Sequence, residues 1–135
     1  MKEKIKNILL VDDDEINHFI IMEFIKELNN QVRCHCVDNV EDALSYLRNC
    51  TLGCFPDMIF VDLLMPRLNG FDFLEVYEAE FNKKYPQTKL IMLTSSLREM
   101  DSIRAESFTC LTDFITKDAI VKTLTMLFEK YYYNA

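Results

Sequence analysis

The chain has 135 residues, half of them apolar, with only two Gly and three Pro. That is enough for one domain with a real core and no long linkers. The formal charge of −7 argues against nucleic acid as a direct ligand and suits a cation or a basic partner. No apolar run approaches the ~18 residues of a membrane span.

Taken in order, Ile5 to Val11 is apolar and β-branched and reads as a first strand, with Asp12-Asp13-Asp14-Glu15 at its carboxyl end. A helix follows from about Glu15 to Leu28. Ile16, Ile20, Phe24 and Leu28 recur at helical spacing, and Phe19, Ile21 and Ile25 widen the apolar stripe. Asp14 is the expected N-cap, in an acidic first turn that suits the helix dipole. Gln31 to Val37 alternates as a second strand. Asn39 then caps a second helix that turns Val40, Ala43, Leu44 and Leu47 inward, and a turn forms around Gly53.

Pro56 punctuates the entry to a third strand, Met58 to Val61, which ends in Asp62. Pro66 and Gly70 mark a loop, and a third helix starts near Gly70 and ends before Pro86. Phe71, Leu74 and Tyr77 or Glu78 fall on its successive turns. Lys89 to Leu93 is a fourth strand closed by Thr94-Ser95-Ser96. Ser96-Leu97-Arg98-Glu99 reads as a capping box for a fourth helix. Leu111 to Thr116 is a fifth strand ending at Lys117. Asp118 caps a last helix with Ile120, Leu124, Leu127 and Tyr131 on one face.

Strands alternating with helices imply a parallel sheet covered on both faces. Right-handed crossovers favour a three-layer αβα doubly wound domain, with the flavodoxin-like strand order 2-1-3-4-5. The five cysteines, Cys34, Cys36, Cys50, Cys54 and Cys110, are odd in number, and nothing resembles a signal peptide. They read as free thiols in a reducing cytosol. Cys34-His35-Cys36 and Cys50-x3-Cys54 fit no usual zinc spacing, so Cys34 and Cys36 read as small buried residues of a strand.

In that strand order the first and third strands are neighbours. Their carboxyl ends carry Asp12, Asp13 and Asp62 to one edge, where the carboxylates repel and need compensation. A hard divalent cation with oxygen preference supplies it, Mg²⁺ first and Mn²⁺ as an alternative. The fourth strand ends in a hydroxyl, Thr94, and the fifth in an ammonium, Lys117. Together these groups cradle a phosphoryl group, with Asp62 as the nucleophile that forms an aspartyl phosphate.

Leu9-Leu10-Val11-Asp12-Asp13-Asp14, Asp62 with Met65-Pro66 and Gly70, Thr94-Ser95, and Phe114 with Lys117 recur in order over nearly the whole chain. In these residues the sequence resembles the receiver (response-regulator) domain of two-component signalling, in stand-alone form, as a single domain over 1–135. The resemblance implies that Asp62 accepts phosphate from a histidine kinase or phosphotransfer protein in the cytoplasm. It implies Mg²⁺ held directly by Asp13, Asp62 and the carbonyl of Leu64, with Asp12 acting through water. Thr94 and Lys117 would read the phosphoryl group, Thr94 and Phe114 would act as the switch, and output would pass through the fourth helix, fifth strand and fifth helix. The protein would be a phosphoacceptor rather than an enzyme with a foreign substrate.

Two departures from the family pattern carry expectations. Asp118 stands where the family has a Pro joined by a cis bond. A cis bond without Pro costs ~3 kcal/mol, so the Lys117–Asp118 bond is expected to be trans or a strained cis, with Asp118 competing for Lys117. Thr109-Cys110-Leu111-Thr112 replaces the usual Gly-Ala before the fifth strand and bears on the exit from the fourth helix. Phe114 has no hydroxyl, and reads equally as a core aromatic. Leu64, two residues beyond Asp62, is apolar and should not orient an attacking water, which implies a long-lived phosphate. Val121, Phe128 and Tyr132 form an apolar row beside the core face, which reads as a wide core face with a frayed tail or as a partner or homodimer surface. His18 and His35 receive no phosphotransfer role. Two rival readings exist. One is a haloacid-dehalogenase-like phosphatase with Asp12 as nucleophile, which would leave Asp62 without a role. The other is a pseudo-receiver that is never phosphorylated.

Overall fold

The computed structural model describes residues 5–28, 31–51, 53–95, 99–117 and 120–130. Five strands and five helices alternate: β1 (Asn7–Val11), α1 (Glu15–Leu28), β2 (Arg33–Val37), α2 (Val40–Arg48), β3 (Met58–Asp62), α3 (Gly70–Glu80), β4 (Lys89–Thr94), α4 (Glu99–Glu106), β5 (Leu111–Thr116) and α5 (Ile120–Phe128). All strand pairs are parallel, in the order β2-β1-β3-β4-β5. The doubly wound arrangement expected from the alternation is therefore the one observed.

The strands with continuous apolar runs occupy the middle of the sheet because both of their faces are covered. Leu9, Val11, Ile59, Val61, Leu90 and Met92 point to a core shared with α2 and α3. Ile8, Leu10, Met58, Phe60, Ile91 and Leu93 point to a second core closed by α1 and α5. Local chemistry fixes the ends. Asn39 accepts the Asp42 amide at 2.7 Å, and Asn69 and Asp72 form a reciprocal capping box at the start of α3. Asp14 accepts the Ile16 amide at 2.9 Å, as an N-cap should.

Several readings shift. β1 begins at Asn7 rather than Ile5, because Asp57 captures the amides of Lys6 and Asn7 at 2.7 and 2.9 Å and ends the ladder there. β2 begins at Arg33 rather than Gln31. In α1 only Ile21 and Ile25 are buried, while Ile16, Phe19 and Ile20 face solvent. The buried stripe is narrower than the apolar spacing suggests, because helix spacing does not say which side the neighbouring α5 covers. Phe128 is fully buried with Leu124 and Leu127, so it belongs to the core and not to an exposed row with Val121. Ser96, Asp118, Tyr131 and Tyr132 lie outside the described residues. So do the capping box, the Lys117–Asp118 bond and the competition for Lys117 expected there.

The segment Thr109 to Thr112 finds its own solution. The β4–β5 register slips between Leu90 and Ile91, and the Leu90 amide bonds the Thr112 hydroxyl at 3.1 Å. A bulge strands a backbone donor, and the threonine side chain satisfies it. Glu78 of α3 accepts from the Thr109 amide, the Thr109 hydroxyl and the Cys110 amide at 2.6, 2.5 and 3.1 Å. The Thr109 hydroxyl bond first, against some burial, holds the Glu78 pKa below the usual carboxylate value. Arg104 of α4 sits 4.5 Å over the Phe71 ring, which stacks on Phe108 at 6.0 Å. The exit from α4 is thus tied to α3.

Candidate functional site

The carboxyl ends of β1 and β3 meet because these strands pair, with Val11 opposite Val61. Asp12 and Asp62 follow directly, and both are buried, at 0% and 3% exposure. Asp13 is exposed. One oxygen from each of the three carboxylates lies within 4.8 Å of the others. Among the described residues this is the one cluster of three or more such groups. Cys34 and Cys36 are half-buried against the α1/α5 core, and His35, on the other face of β2, stacks on Tyr46 at 4.2 Å.

Lys117, at the end of β5, reaches back across the sheet edge. Its Nζ lies 2.9 Å from Asp62 Oδ2, 3.3 Å from Asp12 Oδ2 and 3.4 Å from Asp12 Oδ1. Three carboxylates face one ammonium, so negative charge is in surplus. Burial pushes the Asp62 carboxyl up to about 6, with Asp12 adding to it, and the Lys117 contact only partly opposes this. Burial pulls the Lys117 ammonium down, but its bonds to Asp62 and Asp12 outweigh that and hold it above the ordinary lysine value. The pair is unequal because the carboxylate loses more water and has a like charge beside it. A divalent cation would relieve that repulsion. The donors are all hard oxygens, which fits Mg²⁺-type ions and not soft ones.

Asp62, Asp13, Asp14, Ser95 and Lys117 line an open basin of ≈ 610 Å³, rimmed by the apolar Ile16 and Leu64. The Leu64 amide donates to Asp62 Oδ1 at 3.3 Å. Leu64 itself is 62% exposed over the basin. Thr94 is buried at the end of β4, opposite Thr116. Phe114 is half-buried on β5 and lines a groove of ≈ 300 Å³ with Ala105 of α4.

The loop after β3 turns sharply. Arg67 has φ 66° and the Leu68 amide bonds Pro66 O at 2.9 Å, a γ-turn held in left-handed backbone. It brings Gly70 so close to β3 that an added Cβ would lie 2.8 Å from Asp62 O and 3.0 Å from Leu63 Cα. Two α1 residues were not anticipated at the site. Asn17 Nδ2 donates to Asp12 Oδ2 at 3.2 Å, and His18 Nε2 bonds the Asp12 carbonyl. His18 therefore has a partner at the site after all. Their place one turn beyond the Asp14 cap was the available signal.

Comparison with known proteins places these features. The response regulator receiver domain family matches residues 8–129. A probable histidine kinase 6 of Oryza sativa subsp. japonica is 39% identical over 67 residues, covering 50% of this chain and 6% of that protein. The chain spans between 6% and 32% of the length of the curated relatives it matches. A two-component response regulator of known structure from Cytophaga hutchinsonii is 26% identical, with TM-score 0.84, over 96% of this chain and 98% of that one. The manganese-bound form of the response regulator Rcp1 shares the fold at 21% identity and TM-score 0.76, over 92% of each chain. No described helix is long and apolar enough to cross a membrane.

Proposed function

The chain belongs to the response regulator receiver domain family, a phosphoacceptor signalling module, and from that membership we propose that Asp62 takes a phosphoryl group from the phosphohistidine of a sensor histidine kinase or phosphotransfer protein. The observation that carries the assignment is Lys117 bridging Asp62 and Asp12 inside the carboxylate cluster. Asp12, Asp13, Asp62 and the Leu64 carbonyl would hold Mg²⁺. Bound there, the ion would offset charge on the transferring phosphoryl oxygens.

The protein's own groups have separable tasks. An Asp62 oxygen attacks phosphorus as the P–N bond to the donor imidazole breaks. Lys117 exchanges its 2.9 Å bond with Asp62 for one to a phosphoryl oxygen. Thr94 hydrogen-bonds another phosphoryl oxygen and is drawn toward it. Phe114 then turns into the space Thr94 vacates, and α4, β5 and α5 present the changed face to a downstream protein. Phosphate biases this equilibrium only as far as it binds the two states unequally.

Asp62, and not Asp12, is the nucleophile in this reading. Asp12 is fully buried, with Asp14 N, Asn17 Nδ2 and Lys117 Nζ on its oxygens. Asp62 lines the open basin. A protein phosphodonor is favoured by the rim. Ile16 and Leu64, which line the basin, are exposed apolar side chains, and Phe19 and Ile20 are exposed further along α1. Ile103, Val121 and Met126 are exposed on the output elements and suit a protein target or a second copy. The free thiols accord with a reducing cytoplasm.

The test is incubation with Mg²⁺ and a small acyl phosphate, followed by intact mass of wild type and Asp62→Asn. One stable phosphoryl addition to wild type alone is expected. Addition to both would move the nucleophile, Asp12 first. Addition to neither, with Mg²⁺ binding intact, would support a pseudo-receiver or a strict requirement for the cognate kinase.

A further inference from the structure

Asp12 poses a problem that the family roles leave open. Its carboxylate is fully buried, yet a cation site needs its oxygens held in one orientation. Lys117 cannot do this alone, since it also bonds Asp62 and is released toward the phosphoryl group in the reaction proposed above. The Asp14 amide fixes one oxygen, Oδ1, at 3.0 Å. The other, Oδ2, receives Asn17 Nδ2 at 3.2 Å. An ionised carboxylate only accepts, so the Asn17 atom facing it is the amide donor.

Asn17 is well placed to hold that donor still. It lies in the first turn of α1, and its own backbone amide points at Asp14 Oδ1 at 3.4 Å. The next residue, His18, grips the Asp12 carbonyl through Nε2, so side chain and backbone of Asp12 are held from one helix turn. The charge state matters as much as the geometry. A Lys or Arg here would donate equally well but would cancel the Asp12 charge and repel a divalent ion. A neutral amide orients the carboxylate and leaves its charge intact.

We propose that Asn17 is a positioning residue for the cation site, acting through Asp12. The inference rests on the receiver reading of that site. Hydrogen-bond partners of carboxylates at a metal site typically contribute 10- to 100-fold to metal affinity. Removing the donor should therefore weaken Mg²⁺ binding about tenfold.

The experiment is calorimetric titration of Mg²⁺ into wild type, Asn17→Leu, which keeps the shape and loses the donor, and Asn17→Gln, which keeps a donor. Asn17→Ala serves if the Leu variant does not fold. Expected are about tenfold weaker binding for Leu or Ala and partial recovery for Gln. The Mg²⁺ concentration for half-maximal phosphorylation by acyl phosphate should rise by the same factor, with little change in rate at saturating Mg²⁺. Wild-type affinity in a Leu or Ala variant, whatever its unfolding temperature, would overturn the inference and leave the receiver reading standing. Failure of wild type to bind Mg²⁺ would overturn both.

Discussion

Gly70→Ala is the most informative single change at this site. An added Cβ would stand 2.8 Å from Asp62 O, 3.0 Å from Leu63 Cα and 2.9 Å from Met92 Cε. The Met92 end can swing away, but the two backbone atoms cannot. Both belong to the β3 terminus that carries Asp62, the proposed phosphoacceptor. The first turn of α3 must therefore retreat, against the 2.8 Å bond from Gly70 N to Leu63 O and the Asn69–Asp72 capping box. Overpacking of this kind costs about 1–3 kcal/mol. Ala gains up to about 1 kcal/mol over Gly in a helix, less at its first residue. The net expectation is a loss of about 1–2 kcal/mol, or roughly 5 °C in Tm for a domain of this size. Thermal and urea unfolding read the stability, and the initial rate with acyl phosphate reads the displacement of Asp62, which should slow phosphorylation several-fold. A variant as stable as wild type and equally fast would refute the close-approach argument.

Three further outcomes follow from the same geometry. Asp62→Asn should stabilise the cation-free protein at pH 7 by on the order of 1–2 kcal/mol, since it removes a buried like charge while weakening the Lys117 bond. Because burial raises the folded Asp62 pKa to about 6, above its unfolded value, the native state binds the extra proton between about pH 4 and 6. Wild-type stability relative to Asp62→Asn should therefore fall as pH rises through that window, and equal pH slopes in urea titrations would contradict this. Arg67→Val places a β-branched residue at φ 66° and should cost about 1–2 kcal/mol in urea unfolding, whereas Arg67→Gly should stay within about 0.5 kcal/mol, as relief of the left-handed backbone offsets unfolded-state entropy and an exposed 2.9 Å pair with Glu41. Leu64→Asn or Leu64→Glu gives the basin a polar group able to orient water and should shorten the aspartyl phosphate lifetime, measured by loss of the phosphoryl mass. An unchanged lifetime would remove Leu64 from the account of phosphate persistence.

The order of elements and the position of the site were legible in the chain itself. Short continuous apolar runs such as Met58 to Val61, bounded by turn residues, suit buried central strands, and helical periodicity between them implies a parallel sheet. Once β1 and β3 are neighbours, Asp12, Asp13 and Asp62 must share an edge, and Lys117 at the end of β5 can reach it. These are consequences of chain direction and strand ends, which a sequence states outright. Which face a helix buries is different, because it depends on partners distant in the chain. Ile16, Phe19 and Ile20 share the periodicity of Ile21 and Ile25 yet remain exposed, and of the two readings open for Phe128, core or surface row, packing decides for the core. The same holds for polar residues recruited across elements. Asn17 and His18 on Asp12, Glu78 on the Thr109–Cys110 amides, and the Thr112 hydroxyl on the Leu90 amide satisfy groups that only folding leaves without partners. Sequence periodicity and strand ends thus determined where the chemistry sits. Tertiary packing decided which neighbours hold it in place, since a hydrogen bond between residues such as Glu78 and Thr109 exists only once their elements have docked.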